Sequence, residues 1–186
     1  MAAGAQGRPI VVGANHRSST VGLRERMFLD EAKTSLLLTK LAEEGIGQAI
    51  ILSTCDRVEV QSVVDNPVPH ARTVRALLTE ASGEPSDVVA NQLYDHCDEA
   101  AVRHIFAVAS SLDSQTVGEP QVLGQVKEGH RFSQGCGMVG AELETLLQAS
   151  YSVAKRVRTE TDIGLHSVSI ASAAGRIARD VQGDLT

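Results

Sequence analysis

Apolar and polar positions along this chain alternate between two periods. Residues 10–14, "IVVGA", form an unbroken apolar run of the length of a buried strand. The stretch "LRERMFLDEAKTSLLLTKLAEEG" then places Leu23, Met27, Leu36, Leu37 and Leu41 on a helical period, with Gly45 as a stop signal, and predicts one long helix. "AIILS" at 49–53 reads as a second strand, and "VEVQSVV" at 58–64 alternates as a third. After the break at "NPVP", residues 70–83 read as a helix ending at Gly83, and "VVANQLYDH" at 88–96 reads as a fourth strand. The order β-α-β-β-α-β predicts an α+β, ferredoxin-like fold, an antiparallel sheet with two helices on one face.

From residue 98 onward the pattern is helical and predicts a C-terminal helical extension. "DEAAVRHIFAVASSL" opens with acids. "EPQVLGQVKEGHRFSQG" carries Pro120 near its start, where proline is tolerated. "GAELETLLQASYSVAKRVRTETDIG" lines up Leu143, Leu146, Leu147, Tyr151, Ala154 and Val157 on one face. "SVSIASAAGRIARDVQG" makes a last helix. Between two of these helices, "GCGMVG" at 135–140 matches G-x-G-x-x-G, with Glu160 further on. A dinucleotide fingerprint needs a strand before the glycines. Helices flank this one, so it reads as an interhelical turn.

Composition narrows the function classes. The 186 residues are 42% hydrophobic and 22% charged, a globular balance, and no run is long and apolar enough to span a membrane. The N-terminus "MAAGAQGRP" lacks a signal-peptide pattern, so a cytoplasmic location is expected. A net charge of −6 argues against wholesale, sequence-independent nucleic-acid binding. The densest basic patch, "AKRVR" at 154–158, still offers Lys155, Arg156 and Arg158 as a local surface. The three cysteines, Cys55, Cys97 and Cys136, are widely spaced with no CxxC, against both a disulfide framework and a metal site.

Two stretches concentrate chemistry. Cys55 follows an apolar strand and sits in a tight turn with Thr54, Asp56 and Arg57. A structural cysteine is usually a small apolar residue in a core, whereas a reactive one is partly exposed beside a cation. Arg57 could be that cation, or could fork onto a substrate carboxylate, while Asp56 opposes thiolate formation. The second stretch, "SSLDSQTVGEPQVLGQ" at 110–125, collects Asp113, Ser114, Gln115, Thr116, Glu119, Gln121 and Gln125. It reads either as a capped helix start, with Ser114 or Thr116 as N-cap and Glu119 closing a capping box, or as a polar wall for a small ligand. His104 reads as a half-buried histidine or as a general acid/base.

"VVGANHRSSTVGLRERM", "LSTCDRVEV", "HIFAVASSLDSQTVGEPQVLGQVK" and "AKRVRTETDIG", in this order, resemble the N-terminal catalytic domain of glutamyl-tRNA reductase over residues of about 10 to 180. The resemblance implies the NADPH-dependent reduction of glutamyl-tRNA to glutamate 1-semialdehyde, the first step toward 5-aminolevulinate and tetrapyrroles. It places the family's nucleophile on Cys55, which would release the tRNA and hold glutamate as a thioester. A thiol suits that step, and a thioester accepts hydride more readily than an ester. The family's substrate contacts fall on Thr54, Asp56, Arg57, Ser114, Glu119, Pro120, Gln121 and Gln125, and its important histidine on His104. Arg57 would meet the side-chain carboxylate, Glu119 or Asp56 the α-ammonium, and Ser114 and Gln121 backbone-like groups.

Two departures stand out. Asp56 replaces the asparagine usual after the cysteine, and "SLDS" replaces "GLDS", where Ser111 is expected to change packing slightly. The resemblance further implies a disordered 1–9, a catalytic domain over 10–160, and a linker helix over 161–186 leading to an NADPH-binding domain absent from this chain. It implies glutamyl-tRNA as partner, a homodimer for the full-length enzyme, glutamate-1-semialdehyde aminomutase as a candidate partner, and no metal. The chain by itself is then expected to form the thioester but to lack reduction. The alternative is a non-catalytic module that binds glutamyl-tRNA or a regulator, with Asp56 suppressing the thiol.

Overall fold

The computed structural model describes residues 7–164. Four strands form one sheet: β1 (Arg8–Asn15), β2 (Ala49–Ser53), β3 (Arg57–Val64) and β4 (Tyr94–Cys97). Their order is β2-β3-β1-β4, and every neighbouring pair is antiparallel. Each helical crossover therefore joins two parallel strands that are not neighbours, the arrangement that the alternation of elements predicts.

The first crossover is two helices, α1 (Val21–Met27) and α2 (Glu31–Glu43), and not the single one expected. The chain breaks at Phe28–Asp30 because Asp30 caps α2, accepting from Lys33 N at 2.9 Å. Leu29 N at this break donates to Ser53 Oγ at 2.8 Å, which fastens the break to the end of β2. The second crossover contains α3 (Pro67–Ser82) and a short α4 (Ser86–Ala90). The strand expected over 88–96 is thus corrected: its first part is helix, and β4 starts only at Tyr94. Val89 is fully buried from α4, so an apolar pair that mimics a strand serves a helix instead. Of the stretch 1–9 expected to be disordered, Arg8 and Pro9 belong to β1, and residues 1–6 lie outside the described residues. Of the linker helix expected over 161–186, residues 162–164 form a 3-10 turn and 165–186 lie outside the described residues.

The remaining α-helices among the described residues are α5 (Glu99–Ala109), α6 (Val122–Gly135) and α7 (Ala141–Glu160). They do more than extend the sheet; they cover its second face. Ile10, Val12, Ala14, Ile51, Val58 and Val60 pack against Leu23, Met27, Leu38, Leu41, Val74 and Leu78 on one side. On the other, Val11, Ile50, Leu52 and Val63 pack against Ala101, Ile105, Val108, Val126, Leu143 and Leu147. All eight residues of β3 are consequently buried, including the polar Glu59 and Gln61 of its alternation. The G-x-G-x-x-G stretch is the connection between α6 and α7, as its helical flanks predict.

Helix α6 lies directly over the backbone of the edge strand β2. A Cβ on Gly129 would come within 2.6 Å of the Ile51 carbonyl oxygen, so only glycine permits this approach. The contact brings Gln125, one turn earlier, to the end of β2 where Cys55 follows. Gly129→Ala is therefore expected to destabilise the fold by about 1–3 kcal/mol through overpacking. Gly124→Ala in the same helix meets open space and should instead stabilise by about 0.5–1 kcal/mol. Urea unfolding of the two variants checks the opposite signs.

Candidate active site

The turn between β2 and β3 is closed by Thr54. Its N–H donates to the Arg57 carbonyl at 2.8 Å, and its Oγ1 accepts from the N–H groups of Asp56 and Arg57, both at 3.2 Å. A threonine hydroxyl satisfying two turn donors is a local alternative to continued pairing. Cys55 stands at the tip, exposed and with a free thiol. Below it the buried Arg24 of α1 donates from Nε to the Cys55 carbonyl at 3.4 Å and from Nη1 to the Ser19 carbonyl at 2.7 Å. Arg24 was not among the expected residues. The one signal for it is a charge flanking the apolar Leu23–Met27 stripe.

Cys55 separates two concavities. A cleft of about 380 Å³ runs along Phe28, Leu29, Thr34, Ser53, Gln125 and Phe132. A recess of about 20 Å³, the space of a single water, lies on the other side. Thr54, Cys55, Asp56, Arg57, Ser114, Glu119, Gln121 and Gln125 all line that recess. Eight of the expected site residues, from two segments far apart in sequence, thus meet in one place. The Ser114 hydroxyl is buried there without a protein partner among the described residues. Gln121 Nε2 donates to Glu119 Oε1 at 2.5 Å across the wall.

Pro120 and His104 are placed elsewhere. Pro120 is exposed in the turn before α6 and does not line the recess. The capping box is also corrected. Helix α6 starts at Val122 with Gln121 as an uncapped N-cap, so Ser114, Thr116 and Glu119 belong to the preceding loop and not to a helix end. That loop is shut at its base by Gly118 N donating to the Ser111 carbonyl at 2.9 Å and Ser111 Oγ donating to the Glu119 carbonyl at 2.8 Å. Ser111 has φ +58°, so the replaced glycine matters for backbone conformation and not for packing alone. The Oγ bond offsets part of that strain.

Arg57 links the recess to a buried polar network. Its side chain is 3% exposed. Nη2 donates to the Asp113 carbonyl and lies 3.3 Å from Asp56 Oδ2, while Nη1 lies 3.3 Å from Glu59 Oε2 and 3.4 Å from Asp113 Oδ2. The fork expected to face a substrate carboxylate is therefore already engaged by three acidic side chains. Burial alone would lower the Arg57 pKa, but Glu59, Tyr94, Asp113 and Asp56 outweigh it and raise it above the usual arginine value.

Glu59 is the centre of this network and was not singled out in the sequence. It is completely buried and accepts from His104 Nε2 at 2.8 Å, from Gln61 Nε2 at 2.7 Å, from Tyr94 Oη and from Arg57. Gly13 lies between Glu59 and Tyr94 in the cross-strand row. A Cβ there would fall 2.4 Å from Glu59 Cβ, so the missing side chain is what lets Tyr94 reach across. Burial would raise the Glu59 carboxyl, but His104, Arg57 and Tyr94 hold it far below the usual carboxylate range. His104 thus faces Glu59 and a different cleft, of about 590 Å³, lined also by Arg17, Tyr94, His96 and Asp113. It reaches the Cys55 recess only through Glu59, Asp113 and Arg57. Burial, and then the neighbouring His104, lowers the His96 imidazole below its usual value.

Among the expected tRNA-facing cations, Arg156 pairs with Glu160 at 2.9 Å and Arg158 donates to the Gly118 carbonyl at 3.3 Å. Among the described residues no group of three or more His, Cys, Asp or Glu is placed to hold a metal, and no helix is long and apolar enough to cross a membrane.

The network has a pH signature. His96 resists protonation in the fold, so stability declines as pH falls below about 6.5, where the unfolded chain takes up a proton first. Glu59 contributes stability above about pH 4.5 that is lost as pH falls toward its depressed value. Glu59→Gln should cost about 3–5 kcal/mol at pH 7 by leaving Arg57 incompletely paired. It should also flatten the acid limb below pH 4.5 in a series of urea unfolding curves.

Comparison with known proteins places the chain in a family. The family model for the N-terminal domain of glutamyl-tRNAGlu reductase matches residues 12–161. The glutamyl-tRNA reductase of Rhodospirillum rubrum is 44% identical over 181 residues, covering 95% of this chain and 41% of that protein. That of Solibacter usitatus is 39% identical over 178 residues, covering 95% of this chain and 42% of that protein. The structure of glutamyl-tRNA reductase from Methanopyrus kandleri superposes with a TM-score of 0.70 at 28% identity, over 92% of this chain and 39% of that one. This chain spans about 41% of the length of such relatives, and it belongs to the glutamyl-tRNA reductase family, matching its N-terminal domain.

Proposed function

We propose that this chain carries out the acyl-transfer half of glutamyl-tRNA reduction, with Cys55 as nucleophile. Sγ attacks the ester carbonyl of glutamyl-tRNA, the S–C bond forms and the C–O bond to the terminal ribose breaks. The thiol proton ends on the departing ribose oxygen, and glutamate remains as a thioester. One observation carries this reading: an exposed thiol at the lip of a recess walled by Thr54, Ser114, Glu119, Gln121 and Gln125.

The wall suits an amino acid. Ser114 brings an unpartnered hydroxyl, and Glu119 a carboxylate that is 9% exposed and suited to an α-ammonium. For a glutamyl group to enter, the Gln121–Glu119 bond opens and both side chains turn to the ligand. Arg57 supplies positive field to the glutamyl side-chain carboxylate while staying paired with its buried acidic neighbours. His104 acts as a positioning residue, holding Glu59 and through it Arg57. Thr54 fixes the turn, and Pro120 sets the entry to α6.

NADPH would supply the hydride that releases the aldehyde on the way to 5-aminolevulinate. The described residues do not fit a dinucleotide, since their one glycine-rich motif joins two helices, so no reducing step is assigned to them. The chain alone is expected to deacylate glutamyl-tRNA through the thioester without producing glutamate 1-semialdehyde. The homodimer and a partnership with the aminomutase belong to the same proposal for the longer relatives.

Incubation with tRNA charged with labelled glutamate tests it. Wild-type protein should retain acid-stable, hydroxylamine-sensitive label, and Cys55→Ser should retain none. Equal labelling and deacylation by both would remove Cys55 from the chemistry. Ser114→Ala should slow single-turnover deacylation about tenfold, the equivalent of one hydrogen bond of about 1.4 kcal/mol.

A further inference from the structure

The loop between β1 and α1 reaches the nucleophile turn at a point to which no role has been given. His16 Nδ1 lies 2.8 Å from Asp56 Oδ1, with both side chains more than four-fifths buried. The two atoms are not aligned as a straight hydrogen bond, yet neither has another partner among the described residues. The second carboxylate oxygen, Oδ2, faces Arg57 Nη2 at 3.3 Å. Asp56 is therefore held at both oxygens by groups from opposite sides of the turn. On the same turn Arg24 holds the Cys55 carbonyl.

We propose that His16 is a positioning residue for Cys55, acting through Asp56. A carboxylate one residue from a thiol is a liability, because its charge opposes the thiolate that must attack. Gripped by His16 and Arg57, Asp56 has a fixed rotamer and shares its charge with two nitrogen groups. It then works as a bracket between the β1–α1 loop and the turn. Without His16 the carboxylate keeps only the 3.3 Å contact to Arg57, can swing toward Sγ, and loosens the tip of the turn. Asp56 so held is not free to bind the substrate's α-ammonium, and that task falls to Glu119. This inference rests on the reading of Cys55 as nucleophile, but its test does not.

The test is peptide-resolved alkylation of the 186-residue chain by iodoacetamide at pH 7, with exposed Cys136 as internal control. His16→Phe should slow alkylation of Cys55 about fivefold, as a neighbouring charge near the surface would, and leave Cys136 unchanged. His16→Asn, whose amide nitrogen can stand in for Nδ1, should stay within about twofold of wild type by the same reasoning. In an Asp56→Asn background, His16→Phe should have no further effect. Equal rates for the Phe and Asn variants, or equal slowing with and without Asp56, would overturn the proposal. If His16→Phe unfolds, which the half-buried Cys97 would report by reacting, His16→Ala decides by the same two comparisons. No tRNA is used, so this coupling and the glutamate-labelling result can fail separately.

Discussion

A carboxylate taken out of water costs several kcal/mol unless donors replace its hydration, and Glu59 sits with no solvent exposure in the middle of the sheet. Four side chains meet that demand: Tyr94 from β4, His104 from α5, and Gln61 and Arg57 from β3 itself. The sheet, its last strand and the helix above it must therefore be in register before the charge is satisfied. Arg57 then carries the same constraint outward. Its Nη1 also reaches Asp113 Oδ2, and its Nη2 holds the Asp113 carbonyl at the root of the polar loop and Asp56 in the β2–β3 turn. The two walls of the recess are placed by one buried ion network, and the thiol at its lip inherits that placement.

Much of this was legible in the chain. The apolar runs at 10–14 and 49–53 and the alternation at 58–64 located three strands, and the motifs around Cys55 and 113–125 located both walls of the recess. The errors have physical causes. One long helix became two because Asp30 caps the second from within an unbroken helical period, and 88–96 became helix then strand because its apolar valines serve a one-turn helix. The burial of Glu59 and Gln61 was not legible because alternation cannot tell a sheet with one wet face from a sheet whose second face is covered. Arg24 and His16 carry no local pattern at all; only the tertiary approach of the β1–α1 loop to the β2–β3 turn gives them partners. Asp56 was the visible oddity of the sequence, and its two neighbours explain how an acid can stand there.

The sequence-distant walls also explain why the pocket is small as it stands. Gln121 and Glu119 satisfy each other, and the loop base is stitched by Ser111. A polar ligand replaces internal hydrogen bonds of equal kind, so opening costs little net enthalpy while an apolar ligand would leave both groups unpaired. The closed form thus favours a polar ligand over an apolar one.

Helix α7 gives the molecule a ruler. At its start Glu142 accepts from Gly7 N at 2.8 Å and Leu143 N donates to Gln48 Oε1 at 3.1 Å, which anchors it to the first strand and to the approach to β2. In its last turn Arg158 holds the Gly118 carbonyl at 3.3 Å, and just past its end the carbonyl of Ile163 lies against the same glycine. Twenty residues separate the ends, a rod of about 30 Å. The span between the sheet's edge and the polar loop is therefore a count of helical residues. Adding or removing one would rotate the far anchor by about 100° and move it about 1.5 Å, so α7 can change its outward side chains without disturbing the anchors but not its length.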